Sequence, residues 1–331
     1  MDPVTHFASG ALGGRALRDK FPGRAIAFLT IAAALLPDID NFIGIGNPEL
    51  YLIHHRGITH SFFGGLLLAA GLAGLVRVFS RGISFWSALL IAYACILVHI
   101  FLDLVTSYGT QVFAPFTNKR YAIGSVFIID PILTLLLIGL WIGSRRSRKS
   151  SSSIAVIGLV LLALYPMANL AVKIGLENNL RDRLHRESVS YQRLELSPEI
   201  LTPFLWRVVV EDELTYRMSD LRLWSPGKPL EFESFRKADR ALLARLGERA
   251  SFFTTFAWFA AYPVMETAAG KNGSRVVFGD LRFYSSINRT RSLNGENAGP
   301  FSLSAEIDRN GDLIGYVFGR EAGVRVIQRV E

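Results

Sequence analysis

Three histidines, one arginine and two hydroxyl side chains lie together in residues 54–61, directly before a long apolar run. Imidazole is a frequent zinc ligand, and a guanidinium suits a carboxylate or a phosphate group. His60 is therefore a candidate metal ligand, and His55 and Arg56 are candidate catalytic residues. We expect His54 to be a solvated loop residue. A helix N-cap would explain the hydroxyl groups of this segment, but it does not explain the histidines.

His99 and Asp103 lie four residues apart within an otherwise apolar segment. On a helix this spacing places both side chains on one face, where they can hold one metal ion. A hydrogen bond between packed helices is the alternative role for this pair. Ionisable side chains are rare within membrane-spanning helices and usually functional there, so we expect both residues to be metal ligands.

Two carboxylates, Asp38 and Asp40, end an apolar segment, and His6 stands near the start of the preceding one. Helices over residues 6–18 and 24–38 would each rise roughly 20 Å, so an antiparallel hairpin returns the carboxylates to the level of His6. We expect all three to be metal ligands, although the carboxylates also suit capping of a turn. The mixed donor set favours zinc, as roughly one to three ions, and manganese or iron is also compatible. If several ions bind, we expect the carboxylates Asp38, Asp40 and Asp103 to bridge them.

Three further charged residues complete the predicted site. Asp130, which precedes Pro131 in an apolar segment, is a candidate catalytic residue. It also suits a helix cap or a partner that orients a ligating histidine. Lys119 and Arg120 lie in a polar loop, and we expect them to bind an anionic group of the substrate, such as phosphate.

Apolar helices must position these residues. Half of the 331 residues are hydrophobic, and residues 25–143 carry few charges. We predict a mainly α polytopic membrane domain with about six membrane helices, the first two forming a short hairpin. The predicted ranges are 3–18, 24–37, 61–79, 84–106, 125–143 and 154–173.

Lysine and arginine in the short loops predict the orientation of the bundle. One side carries Arg15, Arg18, Lys20, Arg24, Arg77, Arg81, Arg145, Arg146, Arg148 and Lys149. The other side carries only Arg56, Lys119 and Arg120. The first side is therefore predicted to be cytoplasmic, and every candidate site residue falls on the opposite, extracytoplasmic side.

The second half of the chain has a different composition, with many charges and several alternating, β-rich segments. It predicts a small, extracytoplasmic α+β domain with a mostly antiparallel sheet. The aromatic stretch 252–259 suits either a core or a membrane surface. The expected domains are a helical membrane domain over residues 1–175, which carries the metal site, and an α+β domain over residues 176–331.

Composition and motifs argue against several other classes of protein. The net charge of +8 would suit nucleic acid, but many basic residues flank apolar runs, so no nucleic-acid partner is expected. The single cysteine, Cys95, can form no internal disulfide. The sequence contains no Gly-x-Ser-x-Gly elbow, Walker motif or His-Glu-x-x-His motif. No protein partner is predicted.

Four short motifs resemble the inner-membrane, metal-dependent hydrolases of the YdjM-like type. They are Asp2-Pro3-Val4-Thr5-His6, Leu35-Leu36-Pro37-Asp38-Ile39-Asp40, His55-Arg56-Gly57-Ile58-Thr59-His60-Ser61, and His99-x-x-x-Asp103 followed by Thr106-Ser107-Tyr108-Gly109-Thr110. The resemblance covers roughly residues 1–135. It implies a relation in pattern to the helical folds of zinc-dependent phospholipase C and single-strand nucleases, which bind clustered zinc through His and Asp. It therefore implies phosphoester hydrolysis.

These observations favour a multi-pass hydrolase of a bacterial or archaeal inner membrane that acts on a lipid or lipid-linked phosphate at the extracytoplasmic face. A metal or proton transporter uses similar side chains, but transporter sites tend to lie near the membrane midplane between repeats. A non-catalytic adaptor with a structural metal site is the other alternative. A closed tetrahedral set of ligands would favour the adaptor.

Overall fold

The computed structural model describes residues 1–21, 23–147, 149–270, 273–285, 299, 301–319 and 328–329. Arg148, one of the residues used to predict orientation, lies outside the described residues. The chain separates into two compact units. The first unit contains Met1–Ile45, His54–Leu176 and Ser197–Phe204, and the second contains Gly46–Ile53, Glu177–Leu196 and Leu205–Glu331. The predicted division at residue 175 is close to the observed one, but residues 46–53 belong to the second unit and residues 197–204 belong to the first.

The N-terminal region is mostly helical. Its α-helices are α1 (Pro3–Ala16), α2 (Arg24–Leu35), α3 (Pro48–His54), α4 (Phe62–Phe79), α5 (Phe85–Leu104), α6 (Pro131–Arg146) and α7 (Ser151–Arg186). Two 3₁₀ helices, Leu36–Phe42 and Ile58–His60, follow α2 and precede α4. Helix α7 extends well beyond the predicted range 154–173, and residues from Glu177 onward belong to the second unit.

Side-chain caps fix where several of these helices begin. The Asp2 carboxylate accepts hydrogen bonds from the backbone N–H groups of the first turn of α1, and the Ser61 hydroxyl accepts one from Gly64. The Asp130 carboxylate caps α6 in the same way, which explains why α6 begins at Pro131 rather than at the predicted residue 125. Such caps satisfy N–H groups that a helix cannot satisfy itself.

Four helices in the described part of the chain are long and apolar enough to span a membrane, rather than the predicted six. They are Arg24–Phe42, Phe62–Phe79, Phe85–Leu104 and Ser151–Arg186. Helices α1 and α6 have 14 and 16 residues, so they rise only about 21 and 24 Å against a hydrocarbon thickness of about 30 Å. Helix α1 is also buried along most of its length between its neighbours.

Helices α1 and α2 form the expected hairpin, and glycines allow their backbones to approach closely. A Cβ atom at Gly10 would lie 2.6 Å from the backbone oxygen of Thr30 and 2.8 Å from Cβ of Ala34. A Cβ atom at Gly14 would lie 2.8 Å from the Thr30 hydroxyl. Small residues at such crossings are a common feature of membrane helix packing.

The C-terminal region forms two antiparallel sheets. The first has the order β1-β2-β3-β4, with strands Arg193–Pro198, Leu205–Glu211, Thr215–Arg222 and Glu233–Arg236. The second has the order β5-β6-β7-β8-β9, with strands Pro263–Ala269, Gly273–Asp280, Leu303–Asp308, Leu313–Phe318 and Gln328–Arg329. Helices α8 (Arg240–Arg249) and α9 (Ser251–Phe259) connect the sheets. The four phenylalanines of α9 are buried and Trp258 is half-buried, so this stretch packs in the core of the unit.

Replacing Gly10 with alanine should force α1 and α2 apart, because the new methyl group meets backbone rather than a movable side chain. We expect a loss of about 1–3 kcal/mol in stability, the usual cost of overpacking. Gly71→Ala is the matched control, since nothing lies within 4 Å of a Cβ atom at this exposed helical glycine. Thermal unfolding of both variants in detergent, followed by tryptophan fluorescence, tests this. Equal melting temperatures for the two variants would contradict the close approach.

Candidate metal centre

Four predicted ligands converge inside the first unit at the ends of its helices. Asp38 comes from the 3₁₀ helix after α2, and His60 comes from the 3₁₀ helix before α4. His99 and Asp103 lie in the last two turns of α5, as their spacing predicts. One donor atom from each of the four residues lies within 4.8 Å of all the others, and we refer to this group as the four-residue cluster.

Hydrogen bonds determine the tautomers of the two histidines of the cluster. His99 Nδ1 lies 2.7 Å from the backbone oxygen of Ala34, which can only accept, so this nitrogen carries the proton. His60 Nδ1 lies 3.0 Å from Oδ2 of Asp40, so the same assignment holds for a neutral His60. The Nε2 atom of each neutral ring therefore presents a lone pair.

The two Nε2 atoms lie 3.0 Å apart, and the carboxylates of Asp103 and Asp38 lie close to both. Asp103 Oδ2 lies 3.1 Å from His60 Nε2 and 3.6 Å from His99 Nε2. Asp38 Oδ1 lies 3.5 and 3.8 Å from the same two nitrogens. A zinc ion with bonds of 2.0–2.1 Å has tetrahedral edges of about 3.3–3.4 Å, so these separations fit a divalent cation among the four donors.

Asp40 contacts the Nδ1 atom of His60, on the opposite edge of the ring from Nε2. Its carboxylate lies against His60 Nδ1, accepts hydrogen bonds from the backbone N–H of Arg56 at 2.9 Å and from the hydroxyl of Thr59 at 2.8 Å, and contacts His55 Nδ1 at 3.0 Å. The sequence-based ligand set includes Asp40, whereas the geometry gives its oxygens these other partners. A carboxylate in this position fixes the ring and the tautomer of a ligating histidine.

His6, another predicted ligand, lies beside the cluster. Its ring stacks on that of His99 with centroids 3.7 Å apart, and its Nε2 atom lies 3.4 Å from Asp103 Oδ1. The side chain is fully buried, and neither ring nitrogen has a hydrogen-bond partner among the described residues. The ring thus adds a donor atom next to the cluster without belonging to its four closest members.

Arg56 turns inward. One terminal nitrogen of its guanidinium lies 3.0 Å from Asp103 Oδ1, and the other donates to the hydroxyl of Thr106 at 2.8 Å. The α-amino group of Met1 also contacts Asp103 Oδ1. Arg56 is buried, so its positive charge is directed at Asp103. Of the two partners that the sequence suggested for this guanidinium, a carboxylate and a phosphate, Arg56 contacts a carboxylate.

His55 is buried behind the cluster, whereas His54 is exposed, as expected. Burial lowers the pKa of His55 to about 4, and the neighbouring Asp40 opposes this shift only in part. His55 is therefore neutral near pH 7. Its ring packs edge-on against His60 and Tyr108, with centroids 6.1 and 5.3 Å away.

The two predicted substrate-binding residues differ in their surroundings. Arg120 donates to the backbone oxygens of His55 at 3.0 Å and Gly109 at 3.1 Å, so it joins the 107–124 loop to the histidine segment. Lys119 is exposed, with its ammonium group 5.3 Å from the centre of the Tyr121 ring. Only Lys119 therefore presents its charge to the surface.

Asp130, the third candidate catalytic residue, has structural contacts. One oxygen caps α6, and the other accepts a hydrogen bond of 2.7 Å from the hydroxyl of Tyr165 on α7. Among the described contacts, none joins Asp130 to the four-residue cluster. The helix cap considered for this residue is the role that its geometry supports.

Two residues near the centre, Tyr108 and Thr59, have roles that the sequence did not predict. Tyr108 lies against three site residues, with its ring centre 4.8 Å from the guanidinium carbon of Arg56 and 5.5 Å from that of Arg120. Thr59 donates to Asp40, whereas Ser61 caps α4. The only sequence signal for either residue was its place inside a motif that carries the family resemblance.

A family model described as YdjM inner membrane protein matches residues 1–175, which include every residue of this centre. The chain belongs to the YdjM inner membrane protein family. Together with the four apolar helices, this membership supports a membrane location.

A relative in Bacillus subtilis (strain 168), named Uncharacterized protein YfhP, is 28% identical over 225 residues. The aligned region covers 63% of this chain and 65% of that protein, which is less than two thirds of its length. No solved structure matches the chain.

Replacing Asp40 with asparagine should weaken zinc binding about 10–100-fold, the usual effect of losing a carboxylate that orients a ligating histidine. Asp212→Asn, at a half-exposed carboxylate in the second unit, is the control and should bind zinc like the wild type. Competition against a chromogenic zinc chelator measures both affinities. Equal affinity for Asp40→Asn and the wild type would show that Asp40 does not support His60.

Proposed function

We propose that this protein is a membrane-embedded, metal-dependent hydrolase that acts on a phosphoester of a lipid or lipid-linked substrate at the extracytoplasmic face. The observation that carries this proposal is the uneven burial of the four-residue cluster. His60, His99 and Asp103 are fully buried, whereas the Asp38 side chain is 17% exposed and lies farther from His60 than either buried partner does.

Three buried donors and one accessible carboxylate suit a catalytic site. Catalytic zinc sites generally use three protein ligands and keep one position for water or substrate. Here His60, His99 and Asp103 would hold a divalent cation, and their donor chemistry suits zinc; the accessible side is that of Asp38. The Nε2 lone pairs of the two imidazoles, on nitrogens only 3.0 Å apart, support a fit to this cation.

The residues of the chain have distinct roles in this proposal. A bound divalent cation would supply a Lewis acid that polarises the ester and makes water more acidic. Asp38, on the accessible side, would act as a general base that accepts the proton of the water attacking phosphorus, and it would return that proton to the alcohol oxygen released when the ester P–O bond breaks. Asp40 and the Ala34 carbonyl fix the rings of His60 and His99 so that their Nε2 atoms stay directed at the cation.

The surroundings of Asp38 favour a lipid substrate. The neighbouring side chains Ile39, Phe42, Ile43 and Ile45 are all about half exposed or more. These exposed apolar side chains near Asp38 suit acyl or isoprenoid chains, and the exposed ammonium group of Lys119 suits a phosphate. We include no nucleic acid and no protein partner in this proposal.

The orientation of the centre rests on the distribution of basic residues. The ends of the helices opposite the cluster carry Arg15, Arg24, Arg77, Arg145 and Arg146. The positive-inside rule assigns such ends to the cytoplasm, so the cluster and the chain after α7 are assigned to the extracytoplasmic side.

A structural metal site in a non-catalytic membrane adaptor is a second candidate. The observation that favours it is the number of donors, because four protein ligands around one ion form a closed tetrahedral shell. The two candidates differ in the role of Asp38. It is a structural ligand in the adaptor and a base beside an open position in the enzyme.

Asp38→Asn should separate these two functions. In the enzyme it should retain zinc but lose about 10²–10⁴-fold in hydrolysis rate, because the proton acceptor is removed. His99→Ala should lose both zinc and activity, because Nε2 of His99 belongs to the buried shell. The full chain in lipid nanodiscs is assayed for release of phosphate-containing products from glycerophospholipids and from a soluble aryl phosphodiester, and zinc is measured in each preparation.

If both single variants, Asp38→Asn and His99→Ala, lose zinc, the result would favour the structural metal site of a non-catalytic adaptor. Absence of hydrolysis by the zinc-loaded wild type on every phosphoester tested would contradict the proposed activity.

Cysteine accessibility tests the orientation. A single cysteine placed at Ser251, in a chain with Cys95→Ala, should react with a membrane-impermeant maleimide in intact cells whose outer barrier has been removed. A cysteine at Arg18, in the loop after α1, should react only after the membrane is broken. The reverse pattern would contradict the assignment of the second unit to the extracytoplasmic side.

A further inference from the structure

We propose that Arg56 acts as a built-in second cation of the metal centre and limits it to one divalent ion. This inference rests on the metal-dependent function proposed above and deepens it. It starts from the way in which the two oxygens of Asp103 are divided between different partners.

Asp103 has one oxygen for each of two cations. Oδ2 faces the Nε2 atoms of His60 and His99, where the divalent cation fits. Oδ1 faces the Arg56 guanidinium at 3.0 Å and also contacts the Met1 amino group. In a two-metal site a carboxylate in this position would bridge the two ions. Here the guanidinium lies where the second ion would be bound.

The guanidinium is held in this position from several sides. Its second terminal nitrogen donates to the hydroxyl of Thr106 and to the backbone oxygen of Asp103, at 2.8 and 3.3 Å. The ring of Tyr108 lies 4.8 Å from the guanidinium carbon, a distance suited to a cation–π contact. Such contacts give Arg56 a fixed place rather than a mobile one.

The backbone of Arg56 is also constrained. Its φ angle is 57°, in the left-handed region that residues other than glycine rarely adopt. The backbone N–H donates to Asp40 at 2.9 Å, and the backbone oxygen accepts from the N–H of Gln111 at 2.9 Å. Both neighbours therefore hold the residue in a strained conformation that directs its side chain at Asp103.

His6 is the donor that a second ion would use. Its Nε2 atom lies 3.4 Å from Asp103 Oδ1, and neither ring nitrogen has a hydrogen-bond partner among the described residues. His6 and Oδ1 would thus supply two ligands to another divalent cation. The charge of Arg56 opposes this binding.

The charges of the side chains agree with one ion. Asp38, Asp40 and Asp103 contribute three negative charges, while Arg56 and the Met1 amino group already contact Asp103 and one divalent cation would add two positive charges. A second divalent cation would add two more positive charges to this buried site, and uncompensated buried charge is costly. A neutral residue at position 56 would lower the positive charge of the site by one.

Zinc content measured by mass spectrometry tests the inference. The full-length protein in detergent is saturated with zinc, passed through a desalting column and analysed for zinc per chain. We expect one zinc for the wild type and for Arg56→Lys, which keeps the charge. We expect two for Arg56→Gln, which removes the charge at similar size, and one again for the double variant Arg56→Gln with His6→Ala.

His6→Ala alone should keep one zinc, and this variant does not depend on the folding of Arg56→Gln. Two or more zinc ions in the wild type would overturn the inference, as would loss of the zinc from His6→Ala. A single zinc in Arg56→Gln whose circular dichroism and gel filtration match the wild type would also overturn it. No zinc in the wild type would instead overturn the metal centre itself.

Discussion

The approach of two imidazole nitrogens, Nε2 of His60 and Nε2 of His99, to 3.0 Å is the interaction on which the rest of this centre depends. Each lone pair is fixed because the opposite nitrogen of its ring donates a hydrogen bond, from His60 to Asp40 and from His99 to the Ala34 carbonyl. Neutral lone pairs at this distance repel unless a cation lies between them. The surroundings are buried, so water cannot screen the repulsion, and a bound cation would relieve it.

The helical bundle holds this arrangement through contacts distant from the donors. Gly10 of α1 lies against α2 at Thr30 and Ala34, and the carbonyl of Ala34 in turn orients His99 on α5. A hairpin of small residues thus sets the position of a hydrogen-bond acceptor for a third helix. The same packing explains why α1 is buried along most of its length.

Much of the site was predictable from spacing, while the division of roles within it was not. The i,i+4 spacing of His99 and Asp103 and the hairpin that returns Asp38 to the level of His6 bring these residues together, as the sequence predicts. Sequence spacing does not state which nitrogen of His60 a carboxylate faces, so it could not distinguish Asp40, at Nδ1, from Asp38, near Nε2. The lengths of α1 and α6 also depend on helix caps and on packing, and a hydropathy pattern does not predict either of these.

The end of α2 shows how a local break in a helix supports the chemistry. Pro37 has no N–H group, so the α-helical hydrogen-bond pattern cannot continue through it, and the chain changes to a 3₁₀ helix at Leu36. The last carbonyls of an α-helix lack partners within it, and Ala34, one residue before the end of α2, gives its carbonyl to His99. The tighter 3₁₀ turn then directs Asp38 and Asp40 to the two sides of His60. A single proline thereby contributes an orienting acceptor and positions two carboxylates, because the backbone groups that leave the helix become available to the site.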